Sequence, residues 1–286
     1  MTVVPAHMTT KRKPSVHALP AFPAVARKLM VLVSREASNM QEVSRLIKSD
    51  AVFSAEVLRL ANSAVFGLRY EVVSILHALS VLGMDRLQAL VLTVAMRDFF
   101  STVRHEPLLK RCWRHNLSCA MAAEWAAEFC WIDKSVSYTG GLLHSLGHLG
   151  MAALYPDEYL EAAAGEMEHG DHFAARQREL TGTDHLQMAS WLVQEWGLPA
   201  VFSELCSCHH SGDHLDPSQL PGLMALACEV SDQLGFSIVD RDVVWEPETF
   251  LARLPEARRW SISGRLSELP ELIPFRVNVF EQEFLA

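Results

Sequence analysis

Several features are scarce or missing in this chain, and each absence removes a class of function. A positive charge balance is missing: 25 Lys and Arg stand against 34 Asp and Glu, a formal net charge of −9. That argues against non-specific nucleic-acid binding as the main task. The one basic run, Lys11-Arg12-Lys13, sits in a polar N-terminal stretch and reads as solvated. No helix-turn-helix with a basic recognition helix stands out, so direct DNA binding is not expected. No apolar run reaches membrane-spanning length, so no membrane association is expected. The first twenty residues hold prolines and two histidines but no apolar segment of the kind a secretory leader carries. The six cysteines therefore have no secretory context, and the expectation is reduced thiols in the cytoplasm. Low-complexity segments and repeats are absent as well.

What is present is a globular composition. Half of the 286 residues are hydrophobic and 21% are charged, enough for a sizeable core. Ala, Leu, Met, Glu and Arg dominate, with no sustained two-residue alternation, so the fold class is all-α. Residues 1–14 read as a flexible tail and 15–100 as an N-terminal helical subdomain. Residues 101–235 read as a second helical subdomain, and 236–286 as an extension of short helices and loops. In LPAFPAVARKLMVLV, Phe22, Val25, Ala26, Leu29 and Leu32 line one face of a helix with Pro23 in its first turn. Ser49 or Asp50 can cap AVFSAEVLRLANS, and Gly83 is placed to end SILHALSVLG. The charged stretch STVRHEPLLKR marks the boundary between subdomains. Beyond it, WRHNLSCAMAAEWAAEFC, TGGLLHSLGHLGMAALY and TDHLQMASWLVQEWG each read as a single helix, followed by LPAVFSELCSCHH and PSQLPGLMALACEVSDQLG.

Thirteen histidines is a high count. His115, His144, His148, His185, His209 and His210 all lie on or beside helices of the second half, and inward-facing His from several helices can build a metal site in a bundle core. His144 and His148, four apart, are expected to share a helix face. By spacing alone these residues fit buried, hydrogen-bonded histidines at least as well as ligands. Cys206-Ser-Cys208-His209-His210 lacks a second ligand pair at finger-like distance, so its cysteines read as small helix packers. Trp191 and Trp196 read as core anchors.

The order of these residues is more specific than their spacing. W-x-H-N-L-x-x-A at His115, L-L-H at His144, D-H-x-x-x-x-x-W-L-x-x-x-W-G-L-P from Asp184, then His209-His210 and a carboxylate helix resemble the HD superfamily of metal-dependent phosphohydrolases. The cyclic-di-GMP phosphodiesterases of the HD-GYP type share that order. Leu19-Pro20-Ala21-Phe22-Pro23, Ser49-Asp50, Leu58-Arg59-Leu60-Ala61-Asn62-Ser63 and Ile75…Ala78…Leu82-Gly83 narrow the resemblance to the HDOD family, the HD-related output domains, over about Ala18 to Gly235. The resemblance implies an all-helical fold and a role in bacterial signalling, with no established reaction. It matches His115 to the first HD ligand and His144 to the His of the HD pair. The Asp of that pair, which bridges two metals in the enzymes, is Ser145 here. His185, His209 and His210 match further ligands. Glu229 or Asp232 takes the place of the last carboxylate, and the Glu and G-Y-P expected after the His pair are missing.

A Ser hydroxyl is neutral and a poor ligand for a hard divalent cation, and two cations side by side need bridging negative charge. The expectation is therefore at most one divalent ion, held by His115, His144, His185, His209, His210 and Glu229, and no efficient phosphodiesterase. Asn62 and Ser63 are candidates for ligand or partner contacts, with a helix-end cap as the plainer reading. Two functions follow. The first is a non-catalytic signalling module that contacts partner proteins in trans, with a nucleotide or metal as a candidate input. The second is a residual phosphohydrolase acting on a nucleotide or cyclic dinucleotide.

Overall fold

The computed structural model describes residues 19, 24–33, 39–63, 66–101, 107–164, 171–198, 201–208, 215–238 and 243–285. The expected 1–14 tail, His209 and His210 lie outside them. Among the described residues every regular element is a helix. No single helix there is long and apolar enough to cross a membrane.

The first layer is built from short amphipathic helices. α1 (Ala24–Val33) buries Ala26, Leu29 and Leu32. α2 (Met40–Lys48) starts at Asn39, whose side chain accepts from the Gln41 amide, and buries Val43 and Ile47. α3 (Ala51–Ala61) is capped by Asp50, which accepts from the Phe53 amide at 3.0 Å. Such a cap contributes about 1 kcal/mol. α4 (Ile75–Ser101) breaks at Gly83, whose φ of 81° and ψ of 171° suit only glycine. The first limb ends there, and the second turns sharply into the core.

α5 (Pro107–Cys130) is the axis of the second layer, buried on nearly every side from Leu109 to Cys130. It packs most extensively on α6 (Lys134–Leu143) and α12 (Leu220–Gln233). The run TGGLLHSLGHLGMAALY, expected as one helix, is two: α6 ends at Leu143 and α7 (Leu146–Leu154) begins after His144 and Ser145. Two close approaches impose the break. A methyl group on Gly141 would stand 2.5 Å from the Ala120 Cα on α5, and one on Gly147 would stand 1.7 Å from the His185 carbonyl oxygen. The chain bends between these two seams to satisfy both.

α8 (Pro156–Ala163) and α9 (Asp171–Thr181) form a pair beside α7 and α10 (His185–Glu195), and α11 (Val201–Cys208) leads toward α12. The segment after Phe236 is more regular than expected. α13 (Pro247–Arg253) and α14 (Glu256–Ser263) are short, but α15 (Leu269–Leu285) is a 17-residue helix despite Pro274 inside it. It buries Ile273, Val277 and Phe280 and docks on α5 through Arg114–Glu281 at 2.7 Å and Arg276–Glu124 at 3.1 Å. Burial of three such side chains, at about 1.5–3 kcal/mol each, outweighs the hydrogen bond that Pro274 cannot donate.

Candidate metal centre

α5 carries His115 and Cys119 one turn apart, on one face. α6 crosses that face closely because Gly141 and Ala120 are small, and His144, the residue that follows its last turn, is delivered opposite His115. α12 brings Cys228 from the third side. Four ligand atoms, one each from His115, Cys119, His144 and Cys228, lie within 4.8 Å of one another, and the first three residues are buried. The two imidazoles face each other through Nε2, 3.3 Å apart. Cys119 Sγ is 3.5 Å from His115 Nε2 and 3.9 Å from Cys228 Sγ.

The far nitrogens of both rings are engaged by backbone. His144 Nδ1–H donates to the Gly141 carbonyl at 2.7 Å. His115 Nδ1–H donates to the Phe236 carbonyl at 2.9 Å, with Asp232 Oδ1 behind it at 3.6 Å. Phe236 is placed by the end of α12: Gly235, at φ 84°, reverses the chain, and the Phe236 amide bonds back to Ser231 O. With both Nδ1 atoms turned outward to carbonyls, each ring presents its Nε2 to the cluster. That is the way a metal-binding imidazole is held by its surroundings.

The thiols differ in kind. Hydrogen bonding from Cys119, working against burial and joined by the charge of His144 and by hydrogen bonds from both imidazoles, holds the Cys228 thiol well below the ordinary range. Burial pushes Cys119 well up. Burial opposes a charge on His115, but the Cys228 and Asp232 acceptors outweigh it and raise its pKa. Elsewhere, burial pushes Cys112 and Cys206 up to about 12, and those two behave as small apolar side chains.

The other expected residues are placed as follows. Ser145 is beside the cluster, but its hydroxyl donates to Asn116 Oδ1. Asp232 Oδ1 stands 3.6 Å from the outward nitrogen of His115 rather than in the cluster. Glu229, one residue on from Cys228, points away and pairs with Arg253 on α13. His185 belongs to a different group: its ring stacks on His148 at 4.0 Å, and its Nδ1 meets Gln177 Oε1 at 2.7 Å. His148 Nδ1 in turn meets the Tyr159 hydroxyl at 2.7 Å. Asn62 caps α3 and bridges to the next segment, donating to Leu58 O and Val72 O and accepting from the Val72 amide. Ser63 is buried just beyond it. Trp196 is buried, and Cys206 donates to Leu143 O. Cys119 and Cys228 are the two residues that sequence reasoning missed. The available signal was Cys119 one turn after His115, and Cys228 one turn before Asp232.

A two-cation hydrolytic site does not fit this donor set. Among the described residues the metal-capable cluster holds two imidazoles and two thiols and no carboxylate. The Ser145 hydroxyl beside it is turned to Asn116. Thiolate and imidazole select soft or borderline ions rather than a pair of hard ones.

The HDOD domain model matches residues 19–212, and the chain belongs to that family. The same all-helical fold is seen in an HDOD domain protein of unknown function from Geobacter sulfurreducens. That match has a TM-score of 0.72 at 21% identity and covers 94% of each chain. A Shewanella amazonensis SB2B protein provisionally named a phosphohydrolase matches with a TM-score of 0.69 at 24% identity, over 94% of this chain and 96% of that one. An uncharacterised Treponema pallidum protein is 22% identical over 211 residues, which are 73% of this chain and 41% of the relative's length.

Proposed function

We propose that the chain is a non-catalytic regulatory module of bacterial signalling, working through contacts with partner proteins in trans. The observation that carries this reading is Ser145: the position of the metal-bridging carboxylate holds a neutral hydroxyl committed to Asn116. Without that carboxylate there is no bridge for two cations and no activated water between them. The acidic charge favours protein partners over nucleic acid. Exposed apolar side chains support a contact role: Tyr70 is 82% and Val73 73% exposed in the link from α3 to α4, and Trp260 on α14 is 91% exposed. Cys119 and Cys228, 3.9 Å apart and unbonded, suit a reducing compartment such as the cytoplasm.

The test is a hydrolysis assay on cyclic dinucleotides and nucleotides with Mn²⁺, Mg²⁺ or Zn²⁺ supplied. The expected result is no turnover above buffer with any of them. Turnover that disappears in His144→Ala would overturn the reading and restore the phosphohydrolase alternative.

A further inference from the structure

His115 Nε2 and His144 Nε2 meet 3.3 Å apart within a cluster that also holds two thiols. At the centre of His115, Cys119, His144 and Cys228, the separations identify what fits. Tetrahedral zinc with Zn–N of about 2.0–2.1 Å and Zn–S of about 2.3 Å sets its donors about 3.3 Å apart for N and N, about 3.6 Å for N and S, and about 3.8 Å for S and S. The corresponding separations here are 3.3, 3.5 and 3.9 Å. The remaining pairs are no more than 4.8 Å apart, so closure takes about 1 Å of side-chain movement.

Charge points the same way. Two thiolates and two neutral imidazoles around Zn²⁺ sum to zero, so the buried complex carries no net charge and escapes the cost of an isolated ion in a core. A hard cation such as Mg²⁺ or Mn²⁺ would find no carboxylate in the cluster. We propose that His115, Cys119, His144 and Cys228 bind a single zinc ion in a closed four-coordinate site. The ion ties α5, the α6–α7 break and α12 together. Because the protein supplies all four donors, no position is left for a hydrolytic water, as in sites whose role is structural or regulatory. The site goes beyond the non-catalytic reading, and the two fail separately. Zinc-bound protein that hydrolyses a nucleotide defeats only that reading; inert protein with no zinc affinity defeats only this one.

The experiment uses the full chain, purified under reducing conditions without chelator. Zinc is counted by elemental mass spectrometry, and the protein is then stripped and titrated with Co²⁺. The proposal predicts near one zinc per chain, tetrahedral d–d absorption on cobalt loading and a thiolate-to-cobalt charge-transfer band. Cys228→Ser should bind zinc about a hundredfold more weakly or worse, while Ser145→Asp should leave the cobalt spectrum unchanged. Circular dichroism of each variant separates loss of a ligand from loss of fold, and the wild-type spectrum stands whatever the variants do. An octahedral cobalt spectrum without the charge-transfer band would overturn the proposal. So would zinc far below one per chain that reconstitution does not raise, which would leave a hydrogen-bonded thiol–imidazole cluster only.

Discussion

His115 and His144 meet nitrogen to nitrogen, with ring centroids 5.2 Å apart and planes tilted by 48°; His148 and His185 meet face to face, 4.0 Å apart and within 17° of parallel. Both pairs are buried, one on each side of the His144–Ser145 break: the first joins α5 to the end of α6, the second joins α7 to α10. In the first pair the outer nitrogens are taken by carbonyls and the inner ones face two thiols. In the second, the Nδ1 atoms go to Tyr159 and Gln177, and Phe173 packs against both rings. Donor direction and the two thiols, not burial, separate a site that can take a cation from a polar knot that holds helices together.

Substitutions can break this contrast. The largest effect is expected from Gly147→Ala, whose new methyl collides with the His185 carbonyl and forces α7 from α10. Thermal denaturation should show a loss of about 4 kcal/mol, or no soluble protein, with the metal content of any folded fraction retained. Next comes Cys228→Ser. With free zinc at about a hundredfold over the dissociation constant, wild type gains about 2.7 kcal/mol, most of which this variant lacks. Chelator should therefore lower the melting temperature of wild type and of His185→Ala but leave Cys228→Ser almost unmoved. Tyr159→Phe removes the partner of His148 and should cost about 1–1.5 kcal/mol with no change in metal content. The smallest effect belongs to Asp232→Asn: Asp232 stands 3.6 Å from His115 Nδ1, on a ring already held by Phe236 O at 2.9 Å. Zinc affinity, read by competition with a chromophoric chelator, should fall about tenfold, the low end for an outer partner of a ligating imidazole.

The helices were legible because their apolar spacing is local: Asp50 as a cap and Gly83 as a stop can be read from a few neighbours. The break at His144–Ser145 was not, since no proline marks it. It is set by Ala120 and by the His185 carbonyl, which approach from distant parts of the chain. α15 was obscured by Pro270 and Pro274, which argue locally for loops, while its buried face is defined only by α5. At the site, the order of motifs brought out His115 and His144, and the structure sets them nitrogen to nitrogen. Cys119 and Cys228 lie 109 positions apart, so their meeting depends on how α12 packs against α5, which short-range spacing does not encode. Glu229 and Asp232 share a helix with Cys228, yet only the rotation of α12 decides which of them turns inward.

The most direct measurement is anomalous diffraction from crystals of the zinc-loaded protein, recorded on both sides of the zinc absorption edge. The account predicts one strong peak among His115, Cys119, His144 and Cys228, and none at His148 and His185. A peak pair bridging toward Ser145, or a peak at the stacked histidines with none at the first cluster, would contradict it.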